Sequence, residues 1–141
     1  MDFLPLLREL ATTYQVVESF SGAHIRTFDL TPPQFDLIAT LGNQPPMTCK
    51  ELGEKTLITK GTLTGILDRL EDKKLIIRIA NSDDARSQKI ALTKTGNDVF
   101  NKVFPAHLKY LSKAFNQLAE KDAEQLTHSL KQLRSAIQKV I

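Results

Sequence analysis

Apolar residues recur at steps of three and four along most of the chain, and the pattern gives way to a β-branched one between Leu75 and Leu92. Such steps mark one face of a helix, whereas a short β-branched run bounded by turn residues marks a strand. Leu4, Leu7, Ala11, Tyr14, Val17 and Phe20 form one stripe, on a helix from about Phe3 to about Ile25. Leu63, Ile66, Leu67 and Leu70 form a second. Val99, Val103, His107, Leu108, Leu111, Phe115 and Leu118 form a third, on a long helix expected to bend near Pro105. Leu126, Leu130, Leu133, Ile137 and Val140 mark the last helix, over residues 121–141. Within the break, Ile76-Ile77-Arg78-Ile79 and Lys89-Ile90-Ala91-Leu92 flank the cluster Asn81-Ser82-Asp83-Asp84 and predict a β-hairpin.

Local signals place the remaining helices. Thr31-Pro32-Pro33 supplies a cap followed by prolines in the first turn, where a missing N–H costs nothing. The helix it starts is expected to bury Phe35, Ile38, Ala39 and Leu41, and Gly42-Asn43-Gln44-Pro45-Pro46 ends it. Thr48-Cys49-Lys50-Glu51 reads as a capping box opening a short helix to about Lys55. Leu57-Ile58 make a tight connection, and Thr59 is expected to cap a helix running to about Lys73. Gly53 lies mid-helix, where glycine costs about 1 kcal/mol, so it is expected where two helix backbones cross. Leu52, Ile58, Leu63 and Ile66 would lock that pair.

The order is helix, helix, short helix, helix, hairpin, long helix, helix. This is a mainly α fold: a helix-turn-helix with a two-stranded wing over residues 31–99, and a helical region built from residues 1–30 and 100–141, all in one domain. The stripes at the two chain ends are too apolar to face water alone, so a homodimer is expected, burying them as one two-fold core.

Composition narrows the class. The 141 residues are 41% apolar and 25% charged, with a formal net charge of +3, which is the balance of a globular domain. One cysteine excludes an internal disulfide framework and a cysteine-based structural zinc site. No apolar run approaches a membrane span, and Asp2, Arg8 and Glu9 interrupt what would be the apolar part of a signal peptide, so a cytoplasmic location is expected. Charge rises along the chain, from a net −3 over residues 1–46 to +2 over 47–93 and +4 over 94–141. That permits a polyanion partner without demanding one. His24, His107 and His128 are far apart and lack metal-ligand spacing; no nucleophile–base pair or phosphate-binding loop stands out. No enzyme, metal site or cofactor is expected.

On the helix after Thr59, steps of 100° put Gly61, Gly65, Asp68 and Asp72 opposite the apolar stripe. Thr64 and Arg69 flank that face, and Lys60 stands at its start. Two exposed glycines weaken a helix, and close approach to a phosphate backbone or base edge is one reason to keep them. Thr59, Lys60, Thr62 and Thr64 can donate to phosphates. Asp68 and Asp72 would repel DNA unless paired. A generic helical hairpin with tolerated surface glycines has the same apolar spacing.

The stretch Asp84-Ala85-Arg86-Ser87-Gln88-Lys89-Ile90-Ala91-Leu92-Thr93, followed by Lys94-Thr95-Gly96, resembles the wing signature of the MarR family of bacterial transcription regulators. Leu67-Asp68-Arg69-Leu70-Glu71 resembles the end of that family's recognition helix, and Thr31-Pro32-Pro33-Gln34-Phe35 the start of its second helix. The resemblance implies a dimer of winged helix-turn-helix protomers on a pseudo-palindromic duplex. The helix from Thr59 would enter the major groove, and Arg86 the adjacent minor groove, held by Asp84 and by Asp68. The family usually has Gly where Lys74 stands, so the end of this helix is expected to close differently. The resemblance also implies a small aromatic or phenolic effector, bound in a cleft that Tyr14, His24, Arg26, Phe28 and His107 could line. An exposed Arg26 at a helix end is the plain alternative.

Two other functions stay open. A winged helix can be a protein–protein module without DNA. A thiol-based sensor would use Cys49, in the first turn of a helix. Relatives that sense peroxides carry their cysteine near the N-terminal helix instead, so Cys49 is expected to be a half-buried packing thiol.

Overall fold

The structure, a computed structural model, describes all residues from Met1 to Ile141. It contains α1 (Leu4–Arg26), α2 (Pro32–Leu41), β1 (Met47–Thr48), α3 (Cys49–Lys55), α4 (Lys60–Asp72), β2 (Ile76–Ala80), β3 (Gln88–Leu92), α5 (Lys94–Phe115) and α6 (Glu120–Gln138). Two compact units result, residues 1–107 and residues 108–141.

The first unit holds the core. Thr31 and Gln34 close a reciprocal capping box at the start of α2, and Thr48 and Glu51 close another at the start of α3. Each satisfies N–H groups that a helix start otherwise leaves orphaned. Leu37, Ile38 and Leu41 of α2, Leu52 of α3 and Leu63, Ile66, Leu67 and Leu70 of α4 are all buried. Ile76 and Ile90 from the sheet complete the same cluster. Leu37, not expected from the sequence, is fully buried, while Phe35 and Ala39 are half-buried.

The sheet has three strands where the sequence suggests two. β1 pairs antiparallel with β3, which pairs antiparallel with β2, in the order β1-β3-β2. Met47 lies opposite Ile90, and Arg78 opposite Ile90 from the other side. The wing is thus anchored to the segment that leads into α3.

Gly53 does not sit at a helix crossing. A Cβ built there meets nothing, and the helix pair is locked by the leucine and isoleucine side chains alone. Close packing requires glycine instead at Gly42, after α2, where a Cβ would collide with the buried Phe100 ring, and at Gly96, at the start of α5, where it would collide with the Leu75 carbonyl. Thr93 caps α5 by accepting from the Gly96 N–H (3.0 Å), and its own hydroxyl donates to the Lys74 carbonyl (2.7 Å). The end of α4, the hairpin and the start of α5 are thereby fastened at one junction. Pro105 lies inside α5, which is one continuous helix; the proline cannot donate to the Asn101 carbonyl.

The end of α4 corrects the expectation drawn from Lys74. Lys74 adopts the left-handed conformation with φ 63°. The Lys74 N–H donates to the Glu71 carbonyl (2.9 Å) and the Leu75 N–H to the Leu70 carbonyl (3.0 Å). That is the Schellman closure normally built on glycine, here with Leu70 and Leu75 buried together.

In the first unit, Leu4, Leu7, Tyr14 and Val17 of α1 are exposed. In the second, no residue of α6 is buried, and Leu126, Leu130 and Ile137 are about half exposed. Both stripes have the helical spacing that the sequence shows. No helix is long and apolar enough to cross a membrane.

Lys74→Gly should relieve the left-handed lysine, offset in part by glycine's greater chain entropy, for a net gain of about 0.5–1 kcal/mol. Urea unfolding measures it, and a destabilised Lys74→Gly protein would contradict the strain argument.

Candidate nucleic-acid interface

Burying Leu63, Ile66, Leu67 and Leu70 leaves the opposite face of α4 in solvent. Lys60, Gly61, Thr62, Thr64, Gly65, Asp68 and Arg69 are all exposed there. Open space surrounds Gly61 and Gly65, so neither glycine is required by packing within the chain. The charges on α4 are sorted along its axis. From Lys60 to Leu67 the one charged side chain is Lys60, while Asp68, Glu71 and Asp72 all lie in the C-terminal part.

Thr59 stands at the N-cap in extended backbone, but its hydroxyl does not cap a backbone N–H. It pairs instead with the Thr62 hydroxyl at 2.8 Å. The turn before it is held from α2, where the Asp36 carboxylate accepts from the Leu57 N–H (3.2 Å). Leu57 itself projects into solvent.

The tip of the wing is built by its own polar groups. Asn81 accepts from the Asp83 N–H (3.1 Å) and donates through its amide to the Ser87 hydroxyl (2.8 Å). Asp84 accepts from the backbone N–H of Arg86 (2.9 Å). Asp84 therefore supports Arg86 through the main chain and makes no ion pair with its guanidinium. Both Arg86 and Asp84 are exposed.

Asp68 does not reach Arg86. Its carboxylate pairs with Arg78 of β2, Nη2 to Oδ1 at 2.8 Å, and the same guanidinium pairs with Glu71, Nη1 to Oε1 at 2.6 Å. The hydrogen bond to Asp68, foremost, and the nearby Glu71 hold the Arg78 pKa above its ordinary value against the opposing effect of burial. Nothing in the sequence singles out Arg78, an ordinary polar residue in an apolar strand. Asp72 is exposed beyond this cluster.

The effector candidates fall into two groups. His24 and His107 meet, Nδ1 to Nδ1 at 2.9 Å, and Ser21 Oγ lies 2.9 Å from His107 Nε2. Phe28 stands edge-on to His24, and Phe35 to His107. His107 is buried at 2% exposure and His24 is half-buried. Tyr14, ten residues before His24 on the same helix, is 55% exposed. Arg26 is also exposed, its side chain folded back against Gly22. No group of three or more His, Cys, Asp or Glu side chains is arranged to hold a metal ion. Cys49 is exposed rather than half-buried: the short helix α3 buries Leu52 alone.

An exposed, carboxylate-free helix start beside a wing whose tip carries one free guanidinium defines a winged helix-turn-helix protein. Residues 30–88 match the model of the MarR family. The chain is 28% identical over 130 residues to the HTH-type transcriptional regulator MhqR of Bacillus subtilis, covering 92% of this chain and 90% of that one. The fold is shared with MepR of S. aureus, crystallised as a MepR–DNA complex, at a TM-score of 0.79 and 23% identity over 96% of this chain and 98% of that one. It is also shared with Bordetella bronchiseptica BpsR, from a study of how 6-hydroxynicotinic acid regulates its DNA binding, at a TM-score of 0.84 and 20% identity over 95% and 96% of the two chains.

Burial, and secondarily the facing His24, lower the His107 pKa from its ordinary 6.5. Well above pH 6.5 the ring is neutral in both folded and unfolded chains and adds no pH dependence. As pH falls from there through the folded value, the unfolded chain takes up the proton first and stability is lost. Urea unfolding at pH 7.5 and pH 5.5 should show a larger loss on acidification for the wild type than for His107→Gln. Equal losses would contradict this environment for His107.

Proposed function

We propose that this chain is a cytoplasmic, homodimeric transcription regulator that binds a pseudo-palindromic DNA operator and acts as a repressor. The observation that carries the reading is the exposed face of α4. It combines two glycines with no packing role, hydroxyls at Thr59, Thr62 and Thr64, and no carboxylate in its first two turns. The first N–H groups of α4 point at the same end, which favours phosphate. Arg69 lies further along this face, and Arg86, on a tip that needs nothing from its guanidinium, suits a narrow minor groove. The DNA-bound relative of the same fold supports this assignment.

A second copy covers the exposed stripes of α1 and α6, which makes the operator two-fold. An aromatic acid or phenol is the effector, with His24, Phe28 and His107 as the polar and aromatic groups nearest to hand and Tyr14 and Arg26 on the approach. The regulated relative BpsR supports that part of the reading.

Operator fragments selected from genomic DNA and titrated by fluorescence anisotropy test the assignment. Affinity should fall steeply with added salt, as phosphate contacts release counterions. Salt-independent binding, or none, would point to a protein partner instead.

Gly65→Ala should bind the operator at least roughly tenfold more weakly, because a methyl holds the helix away from the bases, a loss of about 1.4 kcal/mol. The same change should raise fold stability by about 0.5–1 kcal/mol. Arg86→Ala should cost roughly 1–3 kcal/mol of binding with its melting temperature unchanged. If Gly65→Ala binds as tightly as the wild type, close approach of α4 is wrong; if Arg86→Ala does, the wing does not read DNA.

A further inference from the structure

The Arg78 guanidinium spans two elements that must reach DNA together. Asp68 and Glu71 are three residues apart on α4, one above the other on the same side, and each accepts from one Nη of Arg78. Arg78 comes from β2, the outer strand of the wing, between the buried Ile76 and the tip at residues 81–87. Its side chain is 20% exposed, and these are the two ion pairs of the chain. A planar fork holding two carboxylates fixes direction as well as distance, which a single ammonium does not. Beyond this clamp, the strand continues through the exposed Ile79 and Ala80 into a tip held by its own turns.

We propose that Arg78 is a positioning residue for DNA recognition: it sets the wing against α4 so that Arg86 and the α4 face engage adjacent grooves as one rigid reader. This rests on the DNA-binding reading above. Arg78 itself need not touch DNA. It also offsets the charge of Asp68 and Glu71, which stay exposed on α4, but its main effect is geometric. That distinction can be tested, because the cluster can be made neutral without restoring the fork.

The experiment compares wild type, Arg78→Met, Arg78→Lys and the triple variant Asp68→Asn/Glu71→Gln/Arg78→Met, reading operator affinity at one fixed salt concentration and melting temperature. A second readout needs no DNA. Nitroxide labels on Thr64→Cys and Ser82→Cys, in a Cys49→Ser background diluted with unlabelled protein, report the distance distribution between α4 and the wing by pulsed electron resonance. Arg78→Met and the triple variant should each lose about ten- to a hundredfold in affinity. Both should show a broadened distance distribution, with Arg78→Lys intermediate. Wild-type affinity in Arg78→Met overturns the proposal, and so does full recovery in the triple variant, which would make Arg78 a charge neutraliser only. If the wild type binds no duplex, the DNA-binding reading falls by itself. The distance distribution then decides: unchanged on replacing Arg78, it overturns the positioning role; broadened, it upholds it. Should Arg78→Met fail to fold, Arg78→Lys carries the same comparison, with wild-type affinity and width overturning the role.

Discussion

Burial of Leu63, Ile66, Leu67 and Leu70 against α2, α3 and the sheet orients everything else on α4. Each side chain contributes about 1.5–3 kcal/mol from the apolar surface it removes from water. Rotating the helix to hide a different face would forfeit several of these contributions at once, so the polar face has one direction available. The lysine, threonines and glycines are therefore presented outward at defined angles by a core that does not itself use them. Substitution on the outer face is accordingly cheap for the fold and expensive for whatever meets it.

Around that seam, three polar fastenings fix the neighbouring elements. Asp36 holds the turn into α4, Lys73 donates to the Asp29 carbonyl at the end of the α1 segment, and Arg78 ties β2 to the carboxylates of α4. Each is exposed or partly exposed, so its energetic contribution is small compared with the core's. Their importance is directional: each joins residues of different elements at a single geometry. The lobe thereby combines a cheap surface with a rigid arrangement, which recognition of a regular duplex requires.

Much of this was legible in the residues because it is local. Both capping boxes lie within four residues of sequence, the α4 stripe follows helical spacing, and the hairpin has β-branched runs around an Asn/Ser/Asp turn. Long-range features were not legible. Arg78 finds its carboxylates seven and ten residues earlier in another element, and no strand pattern announces that. His24 and His107 are 83 residues apart, and β1 is two residues long, too short for any periodicity. Leu37 was overlooked because α2 is buried across a wider arc than the Phe35–Ile38–Ala39 stripe implies. Gly53 misled because glycine's cost in a helix suggested a packing role, yet nothing stands where its Cβ would be. Lys74 shows the converse, since hydrogen bonding and the Leu70–Leu75 contact outweigh the strain of its left-handed backbone.

The most direct test of a two-fold DNA reader is the spacing of its operator. Half-sites one helical turn apart lie on the same face of the duplex, and the proposed dimer, closed over the exposed α1 and α6 stripes, must engage both. Binding should be measured for the natural operator and for versions with about 5 and about 10 base pairs inserted between half-sites, roughly half a turn and one turn. The account predicts that the half-turn insertion reduces affinity to the non-specific level, while the full-turn insertion leaves the half-sites in phase and retains part of it. Undiminished affinity for the half-turn operator would show that one protomer suffices, and would contradict the dimeric reader.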